Sequence, residues 1–383
     1  MKAMLKKMDK VLFILMIIYT ILGLVMIFSA SSITAVLYQG VAEYYYFQKQ
    51  VFIIVGSWIL GFIILLYPTT RYKFWGPAGM LIVIGALLLL LPYGVIINSA
   101  RRWYDLGFFN LQPSEFAQSV VIVYLAVYFE KLIKRRDFSL NNIVMPFIFV
   151  LGAAGLTALQ PDLGTACIIA GIAFFIFMAL PINNRETKML KLAGIGGVII
   201  AAILLLAGTK ILNAEQLSRL NYKAPCTRYT DKSGYQVCNG FIAIANGGLF
   251  GTGLGNSKQK YLYLPEAHTD FIFPIIVEEL GAIVGILIII GYLVILYRIL
   301  TIARNAGNLR GSIIAYGTFI YLLLHLLVNF LGILALIPLS GSPLPFLSYG
   351  GSVYVNLIFL MFLTQRVQME AVDARKARAL ASV

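Results

Sequence analysis

The sequence predicts an all-α polytopic membrane protein, with about ten transmembrane helices and a long extracytoplasmic loop between helices 7 and 8. Composition is the first reason: 60% of the 383 residues are hydrophobic and 12% charged, more apolar surface than one or two soluble cores can bury. The second is the length of the apolar runs. Crossing roughly 30 Å of hydrocarbon takes about 20 apolar residues per helix, and the runs lack the strict alternation of a barrel. The third is the placement of Lys and Arg, which gather at Lys2–Lys10, Arg71–Lys73, Lys131–Arg136, Arg185–Lys191, Arg298–Arg310 and Arg366–Arg378. Cytoplasmic loops retain such residues, so both termini are expected in the cytoplasm.

Ten stretches qualify as spans: Val11–Ala30, Val51–Tyr67, Pro77–Val95, Pro113–Phe129, Ile143–Leu159, Leu163–Pro181, Leu190–Ile211, Phe271–Tyr297, Ser312–Leu336 and Pro345–Thr364. The first follows a basic start as a signal peptide would. Its run is too long and lacks a small-residue cleavage site, so it reads as a helix. The net charge of +14 is scattered as helix-end anchors, which argues against nucleic-acid binding.

The outer segment after the third span, NSARRWYDLGFFNLQPSEFAQ, carries Arg101, Arg102, Trp103 and Glu115. The arginines either anchor to headgroups or clamp a phosphate. Glu115 either complements a helix start made by Pro113 and Ser114 or faces a polar cavity. In the short LQPDLGT turn, Asp162 is placed to cap a helix, with Gln160 beside it.

Residues 212–269 form the one large extramembrane loop. Its first half is polar, Phe241–Leu249 reads as a short interfacial helix, and Cys226 and Cys238 lie close enough to pair or to stay as thiols. Gly247, Gly248, Gly251, Gly253 and Gly255 let backbone N–H groups approach an anion, with Lys258 and Lys260 just downstream. A phosphate or diphosphate is the guest this pattern suggests; a turn-rich loop with solvated lysines is the plainer alternative.

Asp270 follows Glu266 and His268 at the mouth of the eighth span, where Pro274 makes an irregular helix start the expectation. Glu278 and Glu279 fall about two turns deeper, where a charge must face a polar cavity. His325 and Asn329, four residues apart, share a helix face and predict an interhelical hydrogen-bonded pair. SGSPLPFLSYGGS, with Ser348, reads as a loop re-entering the membrane.

RRWYDLG with QPSEFAQ, QPDLGTA, GGLFGTGLGNSKQKYLYLPEAHTDFIF with EELG, and PLPFLSYGGS together resemble the signature stretches of the SEDS family (shape, elongation, division and sporulation), in order along nearly the whole chain. QPSEFA and YLPEAHTDFIF are more similar to its division branch than to its elongation branch. Val353 and Tyr104 depart from the usual pattern, as do the residues Cys238–Gly240, Pro274 and Val277. The resemblance implies one SEDS domain over residues 1–383, with residues 365–383 as a cytoplasmic tail. It further implies an inverting glycosyltransferase that polymerises lipid II, an undecaprenyl-diphosphate-linked disaccharide-peptide, on the outer face of the cytoplasmic membrane, at the division septum.

Asp270 matches the family's essential aspartate, and Trp103, Glu115, Lys258, Lys260, Glu266 and His268 match positions around its central cavity. The implied partners are a class B penicillin-binding protein acting as transpeptidase, other division-machinery proteins and membrane lipids. A divalent cation, Mg or Mn, is implied as cofactor, although the sequence offers no dedicated ligand cluster. On this reading Asp270 is the base, Lys258, Lys260 and Arg102 face the diphosphate, and Trp103 packs on sugar or lipid. A lipid flippase gated by Glu115, Glu278 and Glu279, and a non-catalytic scaffold, are the rival readings.

Overall fold

The structure is a computed structural model that describes residues 2–97, 100–107, 109–182, 184–206, 222–261 and 263–381. Helices occupy all ten expected stretches: α1 (Lys10–Gln39), α2 (Tyr45–Leu66), α3 (Tyr72–Tyr93), α4 (Pro113–Arg135), α5 (Leu140–Leu159), α6 (Leu163–Ala179), α7 (Arg185–Leu206), α9 (Ile272–Arg304), α10 (Leu309–Ile333) and α11 (Gly351–Ala381). Seven helices among the described residues are long and apolar enough to cross a membrane, and α6 is apolar but shorter. The end of the seventh expected span and the first residues of the following loop, Arg219 included, lie outside the described residues.

Local chemistry sets the helix ends. Asp9 caps α1 by accepting from Leu12 N at 2.9 Å, Asp162 caps α6 through Thr165 N, and Asn308 caps α10 through Gly311 N at 2.7 Å. Pro113 opens α4 at its first position, where its missing N–H costs nothing. The inner helices are α4 and α10: 72% and 61% of their most apolar windows are buried, against 28–39% for the other five. They carry Glu115, Gln118, His325 and Asn329, so these polar groups face protein rather than lipid.

Four sequence expectations give way. The outer segment after α3 is a three-stranded antiparallel sheet, β1 (Val95–Ile97), β2 (Ala100–Asp105) and β3 (Asn110–Leu111), with Val95 opposite Trp103 and Tyr104 opposite Leu111. The short interfacial helix is α8 (Lys232–Gly247), which begins nine residues earlier than Phe241. The last span begins at Gly351 rather than Pro345, because residues 334–350 run as irregular chain that buries Leu344, Phe346 and Leu347 in the bundle.

The fourth is α9. Pro274 sits in its first turn, where backbone N–H groups have no intrahelical acceptor, so the start is regular. The irregularity lies at Gly281, whose φ of 88° and ψ of 165° break the helix into Ile272–Leu280 and Ala282–Arg304. The break exposes carbonyls on one side and N–H groups on the other, and the glycine-rich loop after α8 satisfies both. Thr252 N donates to Glu278 O at 2.9 Å and Gly253 N to Glu279 O at 3.0 Å, while Ala282 N donates to Gly248 O at 2.9 Å and Ile283 N to Leu249 O at 3.3 Å. A Cβ at Gly251 would stand 2.2 Å from Glu279 O, and one at Gly281 2.3 Å from Leu249 O, so this contact requires glycine on both chains.

Candidate functional site

Asp270 lies two residues before α9, in the turn Glu266–Phe271, and is 7% exposed. It does not cap the helix: Phe271 is the N-cap and makes no side-chain bond. One carboxylate oxygen accepts from Thr269 Oγ1 at 3.0 Å, and the backbone carbonyl accepts from Asn329 Nδ2 at 2.9 Å. Burial pushes the carboxyl up to about 7, the Glu266 charge adds to the rise, and the Thr269 hydroxyl opposes it. A carboxyl so poised takes and releases protons near neutrality.

Beside it lies a narrow recess, too tight in this structure for a free water, lined by Asp270, Asn329, Ser340, Gly341, Ser342 and apolar residues of α10 and the 334–350 chain. Both outer motifs reach its wall. His325 links Gln118 of α4, at 2.8 Å from Nε2, to Ser342 Oγ, at 3.1 Å from Nδ1, and Gln118 Nε2 donates to Glu115 at 3.0 Å. At the start of α6, an added Cβ on Gly164 would come within 3.3 Å of Ser340. His325 thus makes the interhelical bond that the shared face suggested, to Gln118 of α4, and both His325 and Asn329 tie α10 to the 334–350 chain.

Glu115 is 3% exposed and does not cap α4; Gln112 is the N-cap. Arg102 is committed to the LQPD turn: Nε donates to Gln160 O at 3.3 Å, Nη2 donates to Pro161 O, and Nη1 lies 3.9 Å from Asp162. Gln160 Nε2 donates to Leu87 O at 2.9 Å, and Asp162 also accepts from Gln112. Arg101 is exposed and donates to Leu91 O at 2.7 Å, and Trp103 is half-buried on β2. Ser348 is buried and accepts from Leu344 N at 2.8 Å, closing a turn of the 334–350 chain.

The glycine-rich loop does gather amides around anions, but the anions belong to the protein. Glu278 accepts from Ser257 Oγ, Lys258 N at 3.2 Å, Gln259 N at 3.3 Å and Asn246 Nδ2 at 3.3 Å. Glu279 accepts from Ser29 Oγ at 2.7 Å and pairs with Lys260 Nζ at 2.9 Å. Lys260 is 4% exposed, with Gly255 O and Ser29 Oγ as further partners, so its ammonium is committed inside the protein. Lys258 keeps its side chain exposed.

His268 is buried between the rings of Tyr46, at 4.6 Å, and Tyr349, at 5.7 Å, and its carbonyl accepts from Tyr349 N at 2.9 Å. Burial lowers its imidazole below the usual value, which favours the neutral ring. Glu266 is exposed, at a φ of 56°, with its carboxylate 2.9 Å from Thr269 Oγ1, so the one hydroxyl hydrogen of Thr269 is shared between Glu266 and Asp270. Cys226 and Cys238 are joined as a disulfide that ties the turn Pro225–Arg228 to α8. Sequence reasoning did not place Ser340, Ser342 or Asn329 beside Asp270. The serine–glycine–proline run was the available signal.

Fold and site together define a multi-pass helical membrane protein whose broken helix and re-entrant chain hold a buried carboxyl at one end of the bundle. Residues 9–372 match the family model for the cell cycle proteins FtsW, RodA and SpoVE, and the chain belongs to that family. It is 37% identical over 377 residues to the "Probable peptidoglycan glycosyltransferase FtsW" of Bacillus subtilis strain 168, covering 96% of this chain and 92% of the relative. The fold is shared with a chain of a solved peptidoglycan synthase complex that coordinates polymerization and crosslinking, at TM-score 0.74 and 23% identity, covering 95% of this chain and 98% of that one. It is also shared with the crystal structure of the rod shape determining protein RodA of Thermus thermophilus, at TM-score 0.65 and 23% identity, covering 94% and 96%.

Proposed function

We propose that this chain is a peptidoglycan glycosyltransferase that polymerises lipid II into glycan strands for cell division, with Asp270 as the general base. The observation that carries the assignment is the Asp270 carboxyl itself, buried beside a narrow recess and poised at about 7. Extending a glycan requires a base to take the proton of the attacking sugar hydroxyl, and a base works best near the operating pH. Attack on the anomeric carbon breaks its bond to the lipid diphosphate and inverts the centre, so no sugar–enzyme bond forms. The leaving diphosphate carries negative charge, and exposed Lys258 is proposed to approach it, together with Arg101 through the N–H groups it does not spend on Leu91 O. Lys260 and Arg102 are held by internal partners and serve the frame instead.

The residues present do not make a dedicated divalent-ion site. Among the described residues no group of three or more His, Cys, Asp and Glu side chains converges, and Asp270 is surrounded by serine, asparagine and backbone groups. A divalent cation is proposed as a companion of the substrate diphosphate, and no step is routed through it. A class B penicillin-binding protein is the proposed partner, and the bacterial division septum, on the outer face of the cytoplasmic membrane with both termini inside, is the proposed location. The resemblance to FtsW relatives and to a synthase-complex chain supports both.

The test is polymerisation of labelled lipid II by the purified protein, alone and with a class B penicillin-binding protein. Asp270→Asn and Asp270→Ala are expected to lower the rate by about 10²–10⁴-fold while melting stays cooperative. Polymer formed at the wild-type rate by Asp270→Asn would remove the base assignment.

A further inference from the structure

Asn329 is 3% exposed on the inner helix α10. Its Nδ2 donates to Asp270 O at 2.9 Å and to Ser342 O at 2.8 Å. Both partners are carbonyls, which only accept, so the network fixes which end of the amide is NH₂. Oδ1 is then a buried acceptor with no donor from the protein. Native structures rarely leave such a group unsatisfied, and a polar atom orphaned at a functional site calls for a ligand.

Asn329 lines the recess together with Asp270, Ser340 and Ser342. The recess is narrow, with no room in this structure for a free water, so only the tip of a larger molecule that displaces part of its wall can reach Oδ1. That tip must offer a hydrogen to Oδ1, and sugar hydroxyls are such groups. His325 braces the same wall through Ser342 Oγ on one side and Gln118 on the other, which keeps the acceptor in place without occupying it.

We propose that Asn329 is a substrate-binding residue: its Oδ1 accepts a hydrogen bond from a non-reacting hydroxyl of the acceptor sugar and so turns the reacting hydroxyl toward Asp270. The proposal rests on the glycosyl-transfer reading and adds to it a residue that orients the acceptor rather than one that moves the proton.

A panel of acceptor glycans, each lacking one non-reacting hydroxyl, tests it by kcat/KM with wild type and Asn329→Ala. Wild type is expected to lose about 10-fold or more on one analogue, because a site built for a hydroxyl rejects its absence. Asn329→Ala should treat that analogue and the full acceptor alike. Equal losses on every analogue in wild type and Asn329→Ala would overturn the proposal, because independent effects add. So would a wild type indifferent to the whole panel, a result that needs no variant to fold. Wild type that joins no acceptor at all would instead overturn the glycosyl-transfer reading beneath it.

Discussion

Asp270 and the pair Glu278–Glu279 are all buried carboxyls on one loop–helix unit, within ten residues of each other, yet they are solvated by the protein in opposite ways. The two glutamates draw side-chain and backbone donors from Ser29, Asn246, Ser257, Lys258, Gln259 and Lys260. Asp270 has one side-chain donor, Thr269, and a neighbouring negative charge at Glu266. Donor supply separates their roles: a carboxylate ringed by N–H and O–H groups is a structural anion, and one left short of them is available for chemistry.

Removing a donor from the rich site should have the largest effect on stability. Lys260→Met leaves Glu279 buried without its cation and is expected to cost about 3–5 kcal/mol, read as a lower melting temperature in detergent, with the double variant Lys260→Met/Glu279→Leu recovering part of the loss. A melting curve for Lys260→Met that overlays wild type would erase the distinction between the sites. Gly251→Ala attacks the same region through the backbone. A positive φ of 82° costs a β-carbon roughly 1–2 kcal/mol, and the clash with Glu279 O at 2.2 Å adds to it, so a drop in melting temperature of comparable size is expected.

The poor site predicts a pH effect of opposite sign. The folded-state value of Asp270, about 7, lies above its ordinary value of 3.8, so folding favours the protonated form. Its contribution to stability is present below the ordinary value and is lost as pH rises through about 7. Asp270→Asn removes that loss, so its melting temperature should exceed wild type at pH 8 and converge with it at pH 4. Polymerisation by wild type should rise through the same pH range as the base ionises; a flat profile from pH 6 to 8 would contradict it. The smallest effect belongs to Lys258→Ala, whose exposed side chain should change stability by less than about 0.5 kcal/mol while weakening use of a diphosphate-bearing donor.

Most of the scaffold was legible because lipid imposes a coarse code: apolar runs of about 20 residues with basic ends leave few alternatives to spanning helices. Breaks within those runs were not. Gly281 looked like any glycine of an apolar helix, and Pro274 drew attention to the wrong place because its position in the first turn, where proline is harmless, depends on where the helix starts. The glycine-rich loop was legible as a place where amides meet an anion. Amides do converge there, on carboxylates from a different element, a pairing that periodicity cannot reveal. The Asp270 neighbourhood was half legible: the motif marked Asp270, and the spacing of His325 and Asn329 put them on one face. Their partner, Ser342, lies in irregular chain with no period to read.

The break at Gly281 also decides what can move. Helix interruptions commonly act as pivots, but here the residues on both sides are hydrogen-bonded to the same stretch, Gly248–Gly253, so the two halves of α9 and that stretch form one welded joint. The 334–350 chain across the recess is tied to the inner helix by side chains of His325 and Asn329 and by backbone bonds from residues 334–337 to Phe330, Leu331 and Gly332. The carboxyl of Asp270 therefore sits just ahead of a helix that cannot hinge at its glycine, and its position is fixed by the same joint.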